Sequence, residues 1–226
     1  MAVIDGSTSK TAVRLHPTMS NGRYAMTIVR NFIRTMPAEM TLADFLQGVT
    51  EKIAEVYNGV VPPSEERLTA STVVYSKKRQ ELWMVGDCQC MVDGKLHTNE
   101  KPSESIIAQH RASLIQQGMP PAAAREAIVP MLIKSMHEGQ NISYAVFDGT
   151  PVYLAGVKVI DCRDATEIVL ASDGYPFLYP TLEASEKALS EQLLHDPQCI
   201  DTFVATKGLV EGNTSFDDCA YLRFEV

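Results

Sequence analysis

LTASTVVYSKKRQELWMVGD, residues 68–87, carries the change of period on which the fold turns. Before it, apolar residues recur every three or four positions. From Leu68 the period becomes two, and β-branched and aromatic residues dominate. Leu68–Tyr75 and Glu81–Val85 therefore read as paired strands joined across the basic turn Lys77-Lys78-Arg79, with Trp83 in the core.

Working outward, Ala2-Val3-Ile4 reads as a short buried strand that ends at Asp5-Gly6, followed by a polar stretch, residues 7–22. Tyr24, Ile28, Val29, Phe32 and Ile33 mark a helix capped by Ser20 or Asn21 and ended by Pro37. A second helix fits Thr41 to Tyr57, with Thr41 as cap and Asp44 three residues on. Downstream, Cys88–Val92 and Lys95–His97 form a hairpin across Asp93-Gly94. Residues 103–117 and 121–137 read as helices, the second broken or kinked by Pro130. Strands are expected at Ser143–Phe147, Val152–Leu154, Gly156–Asp161 and Glu167–Ala171, then a helix at 181–195 and a last strand at Cys219–Glu225. Segregated blocks of this kind give an α+β layered domain with sheets in the middle and helices outside. No Pro/Gly/Ser-rich linker divides it, so residues 1–226 read as one domain.

The 226 residues carry 28 acids against 20 bases, a net charge of −8. That balance argues against nucleic acid or an anionic membrane as partner. No apolar run is long enough to span a bilayer, and MAVIDGSTSK lacks the basic and apolar regions of a signal peptide, which makes the chain cytoplasmic. Cys88, Cys90, Cys162, Cys199 and Cys219 include no CxxC pair, so they read as free thiols and not as a zinc site.

The acids are unevenly placed. Random order of 12 Asp and 13 Gly would give about one Asp-Gly pair. The chain has four. Asp93-Gly94 and Asp148-Gly149 lie between strand-like runs and read as hairpin turns. Asp5-Gly6 and Asp173-Gly174 each end a buried strand and lead through a polar segment towards a helix. Asp87 ends the strand Glu81–Val85, and Asp217-Asp218 precede the last strand. If these strand ends converge, several carboxylates share one small volume and need a cation to stay ionised together. All-oxygen ligation selects Mg²⁺, Mn²⁺ or Ca²⁺. There is no HExxH, Walker P-loop, GxGxxG or GxSxG motif to compete.

In order along the chain, Val3-Ile4-Asp5-Gly6, Thr69–Val74 with Met84-Val85-Gly86-Asp87, Val169–Gly174 and Ser215–Asp218 resemble the metal-dependent, type 2C serine/threonine protein phosphatases. The resemblance implies a four-layer α-β-β-α sandwich of two antiparallel sheets flanked by helices. It implies hydrolysis of phosphoserine and phosphothreonine in protein or peptide substrates, using two Mn²⁺ or Mg²⁺ ions and a third, weaker metal position. It casts Asp5 as bridging the metals, the Gly6 carbonyl as a ligand, Asp173 and Asp217 as completing one metal's shell, and Asp87 as the acid near the third position. Asp5, Asp173 and Asp217 are thus the candidate catalytic residues, with Asp218 outside the metal shell or structural. Among Lys10, Arg14 and Arg23, Lys10 is the candidate phosphate contact. Three departures stand out. Ser7-Thr8-Ser9-Lys10 replace the family's His-Gly-Gly, so the proton-donor role of that His does not carry over, and His16 is a candidate to replace it. The family's preceding strand, with its Arg and acid, has no counterpart here. The helical insert at about 101–138 carries no evident chemistry. These departures motivate a second reading, a phosphatase-like module that binds a partner with little or no catalysis. A third, an N-terminal nucleophile hydrolase, fits poorly with Ala2 after Met1.

Overall fold

A computed structural model describes residues 1–99 and 101–226. Eight strands are assigned: β1 Ala2–Gly6, β2 Ala70–Ser76, β3 Glu81–Val85, β4 Gln89–Val92, β5 Lys95–His97, β6 Lys158–Asp161, β7 Glu167–Ala171 and β8 Tyr221–Glu225. They form two four-stranded sheets in the orders β1-β2-β3-β6 and β5-β4-β7-β8. Every recorded strand pairing is antiparallel.

The period-two alternation sorts the side chains into layers. On one face of the first sheet, Val74, Trp83 and Val85 pack with Ala25, Val29, Phe45, Val49 and Ile53 of helices α1 (Asn21–Thr35) and α2 (Leu42–Ala54). On the opposite face, Val73, Leu82 and Met84 meet Cys90, Ile168 and Leu170 of the second sheet. That sheet's outer residues, Met91, Val169 and Ala171, pack against Leu189 of α6 (Leu182–His195). The architecture is the expected α-β-β-α sandwich.

The helices start where their caps place them. Ser20 accepts from the Arg23 amide at 3.2 Å, and Thr41 from the Asp44 amide at 3.1 Å. Residues 101–139 hold three helices: α3 Glu104–Gln116, α4 Pro121–Ala127 and α5 Val129–Gly139. Pro130 lies at the start of α5, and the helical stretch expected over 121–137 is broken there, as that proline predicts.

Residues 143–147 and 152–154 are not strands. A lone bridge joins Phe147 to Ala70, and Leu154–Gly156 is a 3₁₀ turn. Side chains take the place of a ladder here. The Asn141 Oδ1 accepts from the amides of Val146 at 3.1 Å and Tyr153 at 3.3 Å. Asp148-Gly149 is likewise no hairpin turn. Asp148 is completely buried and accepts from Arg67 at 2.9 Å, Gln140 at 2.7 Å, Asn141 at 2.8 Å and the Thr150 amide at 2.8 Å. By contrast, Asp93 and Gly94 both have positive φ, 46° and 79°, as a two-residue hairpin of this hand requires.

Candidate functional site

The topology brings four strand-end acids to one end of the sandwich, two from each sheet. Asp5 is the penultimate residue of β1 and lies opposite Ser71 of β2. Ser71 donates its hydroxyl to Asp87, just beyond β3, at 2.5 Å. Gly86 turns the chain with φ of 84°, and a Cβ on it would overlap the Ser71 hydroxyl, so glycine is required at this point. Asp173 follows β7. The turn it begins is tied to the approach of β8: Ser172 donates to the Asp218 carbonyl at 2.9 Å and accepts from the Ala220 amide at 2.9 Å. A Cβ on Gly174 would overlap the Asp218 carbonyl. That close passage of two backbones sets Asp173 beside Asp217.

The electrostatics record the convergence. Burial, then the negative charges of Asp87 and Asp217, push Asp5 up to about 6. Burial and the charges of Asp87, Asp5 and Asp217 hold Asp173 well above the usual carboxylate range. Burial also works to raise Asp87, but the ion pair with Lys101 and the Ser71 hydroxyl outweigh it and keep Asp87 low. Asp217 pairs with Lys207 and accepts from the Asp218 amide at 2.9 Å.

Lys101 and Lys207, which the sequence pattern did not single out, pair with Asp87 and Asp217. Lys101 belongs to the helical insert, which therefore reaches these acids. Ser71 was also missed, although a hydroxyl inside an entirely buried strand was a signal that it had a specific partner. Lys10 lies near the acids but does not touch them; its ammonium donates to the Thr8 carbonyl at 2.7 Å. His16 is engaged elsewhere. Its Nδ1 accepts from the amides of Thr18 and Met19, both at 3.2 Å, and its ring packs tilted against Tyr24 with centroids 4.8 Å apart. Gly6 is explained by packing: a Cβ there would overlap the Gly22 backbone at the start of α1.

Three grooves reach the acids, the largest of about 1030 Å³ touching Asp217 alone of the four. A second, of about 480 Å³, is lined by Asp87, Asp173, Asp217, Lys101 and Lys207, with Tyr175, Phe203 and Phe216 on its apolar side. The third, of about 600 Å³, holds Asp5, Arg14, Arg23 and the exposed Cys219.

The side-chain donors are all carboxylate oxygens, the kind a hard divalent cation takes. Asp173 Oδ1 is buried with no hydrogen-bond partner. It is a carboxyl oxygen lacking the partner that a buried polar group requires, and a cation beside Asp5 and Asp173 would supply one and favour the ionised form. The set is not closed around an ion as the side chains stand. Among the described residues, no three His, Cys, Asp or Glu side chains converge closely enough to hold one, because Asp87 and Asp217 are turned to their lysines. The residues fit the cation, with Lys101 and Lys207 as its rivals.

The sequence matches no protein-family model and no curated protein. The chain is similar in fold to several solved structures. One is "PppA, a key regulatory component of T6SS in Pseudomonas aeruginosa", at 16% identity and TM-score 0.39, over 83% of this chain and 70% of that one. A second is the Mycobacterium tuberculosis serine/threonine phosphatase PstP/Ppp, at 15% identity and TM-score 0.37, over 88% and 87%. A third is the catalytic domain of serine threonine protein phosphatase PstP in complex with two manganese ions, at 16% identity and TM-score 0.39, over 84% and 83%. At such distances the reading of function rests on the chain's own side chains. No helix among the described residues is long and apolar enough to cross a membrane.

Proposed function

We propose that the chain is a Mn²⁺- or Mg²⁺-dependent phosphatase of the type 2C kind, acting on phosphoserine or phosphothreonine in a protein or peptide. The observation that carries the reading is the unpartnered, buried Asp173 Oδ1, on a carboxyl raised by burial and by the charges of Asp87, Asp5 and Asp217. Asp5 and Asp173 would hold the metal, joined by Asp217 and the Gly6 carbonyl, with Asp87 serving a further, weaker position. When bound, the cations supply Lewis-acid activation of water and charge stabilisation at the phosphoryl oxygens. The chain's own groups orient the substrate. Tyr175, Phe203 and Phe216 give the peptide an apolar wall, and Lys10 offers a cation to phosphate. Hydrolysis of a phosphothreonine peptide is expected to require added Mn²⁺ or Mg²⁺ and to stop with a chelator; equal turnover without metal would overturn the assignment.

One observation favours the second reading, a binding module with little catalysis: Lys101 and Lys207 already neutralise Asp87 and Asp217. On the phosphatase reading those lysines are displaced when metal binds. Lys207→Met is then expected to tighten Mn²⁺ binding about tenfold in calorimetry and to lower the melting temperature of the metal-free protein, because Asp217 is left unpaired. Unchanged or weaker Mn²⁺ binding in this variant would favour the module.

A further inference from the structure

Beside the acid-lined groove lies a separate cavity of about 100 Å³. Lys10 and Lys101 line it, with Glu104 as the acid on its wall and the hydroxyl-bearing Thr8, Ser135 and Tyr144 around it. At roughly 30 Å³ per liquid water it has room for about three waters, which suits one tetrahedral oxyanion and not a nucleotide. Lys101, Glu104 and Thr206 line both this cavity and the groove of Asp87, Asp173 and Asp217, so the two share a wall.

The charges are unequally matched. Lys101 is committed to Asp87. Lys10 is half-buried, donates only to a neutral carbonyl in the recorded hydrogen bonds, and has no carboxylate within ion-pair distance among the described residues. Facing it from three other parts of the fold are Arg125 on α4, Lys101 and Glu104 at the start of the insert, and Lys207 before β8. Burial and the three cations pull the Lys10 ammonium down to about 7, with Glu104 opposing them. In a small cavity walled by hydroxyls and by Ile107, Leu132, Met136 and Val146, an ammonium crowded by cations has no anion paired to it.

We propose that this cavity is an oxyanion subsite, in which Lys10 and the hydroxyls around it hold either the phosphoryl group of the substrate or inorganic phosphate. It rests on the phosphatase reading for its biological use, though not for its chemistry. The helical insert then has a purpose, since it builds one wall of the subsite through Lys101 and Glu104 and another through Ser135.

The test is calorimetric titration of the whole metal-free chain with inorganic phosphate, in wild type, Lys10→Met and Lys10→Arg. Wild type and Lys10→Arg are expected to bind, and Lys10→Met to bind at least about tenfold more weakly, having lost a charge-assisted contact. A parallel titration with a phosphothreonine peptide separates the sources: loss of both affinities places the substrate's phosphoryl group in the cavity, and loss of phosphate affinity alone places the free ion there. Sulfate, which stays dianionic, should bind wild type less well as pH rises through about 7, because Lys10 then gives up its proton; Lys10→Arg should abolish that dependence. No phosphate binding by wild type at tens of millimolar, or equal binding by Lys10→Met, would overturn the subsite. Phosphate binding through Lys10 in a chain that hydrolyses nothing would remove the phosphatase reading and leave the subsite standing.

Discussion

Asp173→Asn is expected to lower phosphopeptide turnover at saturating Mn²⁺ by a factor on the order of 10²–10³, the loss typical when one preorganised electrostatic group is removed from a reacting centre. The same change should make the metal-free protein more stable. Asp173 is buried, repelled by Asp5, Asp87 and Asp217, and leaves one oxygen without a partner. A neutral amide of the same shape cannot ionise, so the metal-free melting temperature should rise, and the gain should grow with pH as the wild-type carboxyl is forced to ionise against its neighbours. Opposite signs in the two readouts are the mark of a group kept for function at a cost in stability. Turnover and melting temperature measured on one preparation decide it. Full activity, or a large loss of metal-free stability, would contradict the role given to Asp173.

The second large effect is structural. Arg67→Met strands the Asp148 carboxylate, whose side chain is wholly buried and whose charge partner is the Arg67 guanidinium at 2.9 Å. The neutral donors Gln140, Asn141 and Thr150 remain, so the cost should fall near about 3 kcal/mol, the lower end for breaking a buried pair. For a chain of this size that lowers the melting temperature by about 6–12 °C. Asp148→Asn in the Arg67→Met background should recover part of the loss, since the buried charge is then gone. Unchanged melting in Arg67→Met would show that the neutral donors suffice.

Much of the fold was legible because it depends on period and on caps. Alternation in Val73-Val74 and Leu82-Trp83-Met84 named the two faces of the first sheet, and Ser20 and Thr41 fixed helix starts. The segment 140–157 was not legible. Tyr144–Phe147 is apolar enough for a strand, but the Asn141 and Asp148 side chains supply bonds that a ladder would have made. An Asp-Gly pair reads the same in sequence whether its carboxylate caps a turn, as Asp93 does through Thr166 and Glu167, or anchors a core, as Asp148 does. At the candidate site, all four acids were found by their place at strand ends. Their lysines were not, because Asp87 and Lys101, or Asp217 and Lys207, meet through folding across loops and at no periodic spacing. The insert's contact with the acids was hidden for the same reason: it is made by the single residue Lys101, and composition averages it away.

On the proposed reading these strand ends hold divalent cations. Calorimetric titration of Mn²⁺ into the metal-free whole chain, wild type against the Asp5→Asn, Asp173→Asn double variant, tests it most directly. Saturable binding by wild type that disappears in the double variant is the predicted result. No uptake by wild type at millimolar Mn²⁺, or uptake unchanged in the double variant, would contradict the claim.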